Sequence, residues 1–249
     1  MAGILDLFRR STPDRPAPTT ESASHPPGSI ESMRKAYRAG ELVEDQAPAG
    51  DPWPLFREWF GEAVETARQH RWAEPNAVTL ATADANGTPA ARVVLLKGLD
   101  AGLIFYTNYV SAKGRALASN PVACLNFFWP WLERQVRFTG PVEKLSREAS
   151  EAYFRSRPHG SQLGALLSEQ SREVEDRASL DVRLEELEVA YPKDDPDRPV
   201  PMPDHWGGYR LTPVEVEFWQ GRDNRVHDRL AYRRDSIETP TFARVRLQP

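Results

Sequence analysis

Four short segments of this chain bring cations together with hydroxyls or an imidazole. Arg92-Val93-Val94-Leu95-Leu96-Lys97 puts a guanidinium and an ammonium at the two ends of an apolar strand. Strand alternation places Arg92 and Lys97 on opposite faces unless the strand bends. Tyr106-Thr107-Asn108 runs into Ser111 and Lys113, giving hydroxyl and ammonium donors beside a helix start, where anions are favoured. Tyr153 and Arg157 stand four residues apart on one helix face, and Ser161 follows a turn later. A phenol, a guanidinium and a hydroxyl in that order make a compact phosphate clamp. In Arg225-Val226-His227-Asp228-Arg229, alternation sets two cations on either side of an imidazole on one strand face. The plainer readings are strand-end charges and an exposed basic face. Trp219 just upstream reads equally as core or as site, and Phe127, Phe128, Trp129 and Trp131, ahead of Glu133-Arg134-Gln135, read as core.

Other chemistries are not signalled. The five histidines, His25, His70, His159, His205 and His227, form no HExxH pair and no cluster with metal-ligand spacing. Cys124 is the only cysteine and sits mid-strand among apolar residues, so it reads as inert packing. There is no GxSxG elbow, no GxGxxG and no Walker loop. Any phosphate must therefore be held by side chains on strands and helices.

The elements that must position these groups follow from periodicity. Residues 11–30 are rich in Pro, Ser and Thr and read as disordered, so residues 1–30 are expected to be a tail. A short helix is expected at 31–39. Asp51-Pro52 starts an amphipathic helix whose stripe is Phe56, Trp59, Phe60, Ala63, Val64 and Ala67. Two strands flank the turn Asp84-Ala85-Asn86-Gly87, and strands at 102–108, 121–131 and 134–145 follow. A helix near 111–119 separates the first two of these. Further helices are expected at 146–156, 160–168 and 173–190, then a Pro/Asp-rich loop at 192–204. Four strands at 207–211, 213–221, 225–234 and 242–247 close the chain. In the second of these, Val214, Val216 and Phe218 alternate with Glu215, Glu217 and Trp219, a dry face and a wetter one. Hairpin-linked strands with inserted helices predict an α+β, mostly β, antiparallel barrel rather than a doubly wound parallel sheet.

Composition sets outer bounds. The 249 residues are 40% hydrophobic and 27% charged, enough for a sizeable core. No apolar run is long enough for a membrane-spanning helix, and the first ten residues are not expected to form a secretory signal. A single cysteine fits a reducing, cytoplasmic setting. The net charge of −4 gives no reason to expect nucleic acid. That total conceals an uneven distribution: residues 169–188 carry a net −5, whereas residues 220–249 carry a net +3. An acidic helix thus masks a basic C-terminal region suited to anionic ligands.

Taken together, the segments resemble the pyridoxine (pyridoxamine) 5′-phosphate oxidase family from about Ile30 to the C-terminus. The likeness rests on RVVLLK at 92–97, FYTN at 105–108, ERQVR at 133–137, YFRSRP at 153–158, SQLGA at 161–165 and EQS at 169–171. WGGYR at 206–210, EFWQG at 217–221 and RVHDR at 225–229 complete the ordered set.

The resemblance implies one domain over 31–249, a homodimer of antiparallel split β-barrels with helices around them, and FMN held noncovalently at the subunit interface. It implies that the segment from about 206 to 249 serves dimerisation and substrate. It places Arg92, Val93, Val94, Leu95, Leu96, Lys97, Tyr106, Thr107, Lys113, Gln135, Gln170, Ser171, Trp219 and Arg229 against FMN. Lys97, Tyr153, Arg157 and Ser161 would hold the substrate phosphate. Arg225 and His227 would embrace the substrate ring as the catalytic pair, and the segment holding Arg34 and Tyr37 would fold over the site. The implied activity is oxidation of pyridoxine 5′-phosphate and pyridoxamine 5′-phosphate to pyridoxal 5′-phosphate, with O2 reoxidising the flavin to give hydrogen peroxide. Competing expectations are another split-barrel flavin oxidoreductase and a noncatalytic pyridoxal 5′-phosphate binder. One departure stands out: the family has Ser-Arg-Lys where this chain has Ser111-Ala112-Lys113, and Arg115, one turn on, is expected to substitute in part.

Overall fold

Asp51 starts the first helix by accepting the backbone N–H of Trp53 on its carboxylate at 2.9 Å, with Pro52 between them. The structure, a computed structural model, describes Ile30, Met33, residues 35–69 and residues 74–249. The chain divides into two units, Met1–Lys35 and Ala36–Pro249, and all the helices and strands named below belong to the second. The expected tail lies outside the described residues apart from Ile30, and so does Arg34.

Helix α1 (Trp53–Ala67) buries Leu55, Phe56, Trp59, Ala63 and Ala67. Phe56 meets Phe138 edge-on at 4.8 Å and Trp59 meets Phe218 edge-on at 5.4 Å, so one helix face seals the barrel core. Val64, expected in that stripe, stands at its edge and is exposed.

Strands β1 (Ala77–Ala83) and β2 (Pro89–Leu95) form the expected hairpin. The Asp84 carboxylate accepts the N–H groups of Asn86 and Thr88, and Gly87 takes the left-handed φ of 81° that the turn needs. A two-residue strand β3 (Gly98–Leu99) then pairs with β4 (Leu103–Asn108). Helix α2 (Ala112–Ser119) is capped by Ser111, whose Oγ accepts from Gly114 N–H. Strands β5 (Val122–Trp129) and β6 (Arg134–Lys144) follow, then helices α3 (Arg147–Ser156), α4 (His159–Leu167) and α5 (Arg177–Ala190). The C-terminal strands are β7 (Trp206–Leu211), β8 (Glu215–Gln220), β9 (Asp228–Arg233) and β10 (Ala243–Arg246).

Every pairing is antiparallel, in the order β10-β9-β8-β6-β5-β1-β2. The far end of β6 leaves that row and pairs with β7, which pairs with β4. At the changeover Gly140 lies so close to the Thr212 carbonyl that any Cβ would collide with it. Since β2 runs almost directly into β3 and β4, the sheet curls back on itself as a split barrel. A second apolar cluster, centred on Phe154, Leu163, Val200, Met202 and Trp206, packs under α3–α5.

Two expectations need correction. None of the described residues in 31–39 is helical. Instead the Glu133 carboxylate accepts the backbone N–H groups of Arg38 and Ala39 at 2.6 and 2.8 Å, partners that a nine-residue helix would have to supply itself. The strand expected at 225–234 begins only at Asp228. Asp223–Arg225 forms a 3-10 turn, with Asn224 and Arg225 at left-handed φ of 57° and 61°. Arg225 is therefore not on the strand face that alternation assigned to it.

Candidate active site

Arg157-Pro158 shows how local sequence places a site residue. Proline disfavours helical backbone in the residue before it, so Arg157 turns out of α3 at φ −73°, ψ 150° before α4 starts. Its guanidinium then faces a cavity of about 660 Å³. The cavity is lined by Arg92, Val93, Val94, Leu95 and Lys97 from β2 and its exit, Tyr106 and Thr107 from β4, and Ala112 and Lys113 from α2. Tyr153, Arg157, Pro158 and Ser161 come from α3 and α4, Gln170 and Ser171 from the following loop, and Trp206 from β7. Arg92 and Lys97 meet here because β2 ends at Leu95 and the chain folds back, the bend that alternation required.

Among the described residues the lining holds four cations and no carboxylate. Lys113 is buried, and its ammonium donates to Gln170 Oε1 at 2.7 Å. Arg92 donates to the Leu80 carbonyl and Thr82 Oγ1. Arg157 Nη1 is buried with no partner among the described residues. Burial pushes the Arg92, Lys113 and Arg157 pKa values down, and Arg92 adds to the effect on Lys113. Cations desolvated in this way call for an anion. Burial also pushes the Tyr106 phenol up, so it stays a donor. Ser171 holds a left-handed φ of 72°, backbone strain beside the cavity.

A second group of expected site residues lies apart from this lining. Cross-strand register aligns Gln135 of β6 with Trp219 of β8, and Trp219 with Arg229 of β9. The Trp219 and His227 rings lie 4.7 Å apart, and Tyr37 meets both edge-on at 5.8 and 5.6 Å. None of these residues lines the cavity; nor do Arg225 and the buried Leu96. Arg229 is not a cation awaiting an anion. It is bound by the buried Glu217 at 2.8 Å, and Glu217 also holds Arg137 at 2.5 Å. The wetter face expected on β8 is thus dry at Glu217 because two arginines neutralise it. Glu217→Ala is expected to cost about 2 kcal/mol, less than a fully buried pair because both arginines are partly exposed. A thermal melt should fall by about 4–8 °C, with Glu217→Gln intermediate.

His227 Nδ1 accepts the backbone N–H of Arg222 at 3.1 Å, so the neutral ring carries its proton on Nε2 and presents a donor there. Burial first, and Arg225 second, push its pKa below the usual 6.5. The neutral ring's contribution to stability is therefore fully present above pH 6.5 and is lost as pH falls through the folded value. An NMR titration should place the midpoint below 6.5, and Arg225→Ala should raise it only part of the way back.

Sequence reasoning missed Trp206, which lines the cavity. The WGGYR motif contained it, but nothing local showed that its ring faces the site. Arg115, expected to substitute in part at Ala112, donates to the Val110 carbonyl at 2.6 Å and is not among the residues that line the cavity, whereas Ala112 is.

Known proteins resemble this chain in sequence and in fold. A family model described as pyridoxamine 5′-phosphate oxidase matches residues 64–191. Another, described as the pyridoxine 5′-phosphate oxidase C-terminal dimerisation region, matches residues 206–249. The pyridoxine/pyridoxamine 5′-phosphate oxidase of Pseudomonas paraeruginosa is 52% identical over 222 residues, covering 89% of this chain and 99% of that one. The chain belongs to the pyridoxine/pyridoxamine 5′-phosphate oxidase family. A relative of the same description from Rhodopirellula baltica is 46% identical over 224 residues, 90% of this chain and 98% of its own. Among solved structures, PhzG from Burkholderia lata, in complex with tetrahydrophenazine-1-carboxylic acid, superimposes with a TM-score of 0.72 at 30% identity, covering 84% of this chain and 98% of that one. A pyridoxamine 5′-phosphate oxidase-related, FMN-binding protein from Nostoc punctiforme shares the fold at a TM-score of 0.61 and 21% identity, covering 81% of this chain and all of that one.

FMN is the cofactor of this oxidase family, and the cavity fits it on its own chemistry. Four carboxylate-free cations suit phosphate, and Val93, Val94 and Leu95 give an apolar wall. Among the described residues there is no metal-binding group and no helix long and apolar enough to cross a membrane.

Proposed function

We propose that this protein oxidises pyridoxine 5′-phosphate and pyridoxamine 5′-phosphate to pyridoxal 5′-phosphate in the cytoplasm, as a homodimer. The observation that carries this reading is the carboxylate-free lining with Tyr153, Arg157 and Ser161 side by side in it. Bound FMN supplies the two-electron acceptor, and O2 regenerates it with release of hydrogen peroxide. Lys113, Arg92, Thr107, Gln170 and Ser171 hold the cofactor. Arg157, Tyr153, Ser161 and Lys97 bind the substrate phosphate, fixing the ring so that its C4′ carbon is presented for oxidation. The alcohol substrate becomes the aldehyde directly; the amine becomes an imine that water hydrolyses, releasing ammonia.

The row Gln135–Trp219–Arg229, with His227, Arg225 and Tyr37, belongs to the same function. The matched dimerisation region over 206–249 supports the view that this row completes a cavity across the subunit interface. There Arg225 steadies charge near C4′, and His227, proton on Nε2, orients the ring as a donor. We read 31–249 as one FMN-binding domain whose last segment, from about 206, serves dimer and substrate.

Purified protein should be yellow and should consume one O2 for each pyridoxal 5′-phosphate formed. A protein that stays colourless after FMN is added, yet binds pyridoxal 5′-phosphate, is a carrier rather than an oxidase.

A further inference from the structure

Arg157 and Lys97 are the cavity cations whose side chains make no hydrogen bond among the described residues, and of the two Arg157 is the more buried. The Arg157 guanidinium has no ion pair among the described residues, and one nitrogen is buried without a partner. What it does have is an aromatic face. The guanidinium carbon lies 4.7 Å from the Trp206 ring centroid and 5.8 Å from that of Phe154. The Trp206 ring itself belongs to a group of three near-parallel rings. It lies nearly parallel to Tyr106 at 5.5 Å and 14°, and to Tyr153 at 6.3 Å and 6°; Tyr106 and Tyr153 stack at 3.9 Å. Trp206 is fixed from behind by pairing with Asn108 across β4 and β7 and by edge contact with Phe154. Gly208 keeps the stack closed, since a Cβ there would lie 2.8 Å from the Tyr106 ring.

We propose that Trp206 is a positioning residue: its ring holds Arg157 and Tyr153 in clamp geometry and thereby sets the preference for phosphorylated over unphosphorylated ligands. The inference rests on the reading of Tyr153, Arg157 and Ser161 as the phosphate clamp. An arginine on a long flexible stem must be ordered before it can grip an anion, and an indole face that orders it beforehand removes that cost from binding. The same face is attractive to the cation when both are desolvated. Trp206 is 7% exposed, so little water competes for that face.

The test uses the FMN-loaded enzyme with Trp206→Leu, Trp206→Phe and Arg157→Ala. Calorimetry gives the Kd for pyridoxal 5′-phosphate and for pyridoxal, and steady-state assays give KM and kcat for pyridoxine 5′-phosphate. Trp206→Leu should weaken pyridoxal 5′-phosphate binding about tenfold and pyridoxal binding less than about twofold. KM should rise by a similar factor, with kcat falling much less. Trp206→Phe should show about a threefold loss of the same kind. Equal weakening of both ligands by Trp206→Leu, or a drop in kcat and FMN retention with the phosphate preference intact, would make Trp206 a core residue only. If Trp206→Leu does not yield folded holoenzyme, Trp206→Phe decides on the same ratio. If Arg157→Ala keeps the phosphate preference, the clamp reading falls and the role of Trp206 falls with it. If Arg157→Ala loses the preference and the Trp206 variants keep it, only the inference about Trp206 is overturned.

Discussion

Arg225→Ala is expected to lower turnover about 100-fold while FMN retention changes by less than about twofold. The asymmetry follows from where Arg225 sits. It is exposed, makes no hydrogen bond or ion pair among the described residues, and lies at a left-handed φ of 61° next to Asn224 at 57°. Backbone of that kind costs on the order of 1–3 kcal/mol per residue and persists where the surroundings impose it. Alanine at position 225 bears the same strain, and no hydrogen bond or ion pair among the described residues is lost, so folding should be unaffected. What is lost, on the proposed reading, is a guanidinium that acts near C4′. Removing one such preorganised charge from a transition state costs about 2.7–4 kcal/mol, or 100- to 1,000-fold in rate. Steady-state kinetics, with flavin absorbance after gel filtration, gives both numbers. Equal loss of turnover and flavin would remove Arg225 from the substrate ring and make it a cofactor ligand.

Arg157→Ala should raise KM for pyridoxine 5′-phosphate about 10- to 100-fold, since hydrogen bonds to a charged group contribute about 1.5–3 kcal/mol. Its effect on stability should be small and should differ in kind from that of Glu217→Ala. Glu217 is a buried carboxylate shared by Arg137 and Arg229, so removing it strands two cations. Arg157 has no carboxylate to strand, and its burial already disfavours its charge. A thermal melt of the ligand-free variant should therefore lie within about 2 °C of the parent. A fall as large as that of Glu217→Ala would mean that Arg157 serves the α3–α4 core more than the substrate.

Several elements were legible because their causes are local. Asp84 and Gly87 carry the hairpin turn, and Asp51-Pro52 the start of α1. Each rests on conformational preferences acting over a few residues, and each came out where expected. The region from 225 to 229 did not. Its alternating pattern is real in the sequence, but alternation becomes a face only where a partner strand imposes extended backbone. The partner β8 reaches β9 only from Asp228, paired with Gln220. Residues 223–225 have no such partner and turn instead.

The sequence by itself determined the residue types of the site, the clamp spacing Tyr153–Arg157–Ser161, the order of the strands and the family they resemble. Those are properties of short segments and of their succession. Tertiary structure alone decided which charges are free and which are spent. Lys113, Arg92, Lys97 and Arg157 converge on one cavity because β2 ends and the chain folds back, bringing Arg92 and Lys97 beside Lys113 of α2 and Arg157 between α3 and α4. Arg229 looks equally free along the chain, yet register across β8 and β9 sets it against Glu217. The net field at a residue depends on partners tens of positions away. Glu217 and Arg137 are 80 residues apart, and no local pattern in either segment encodes their meeting.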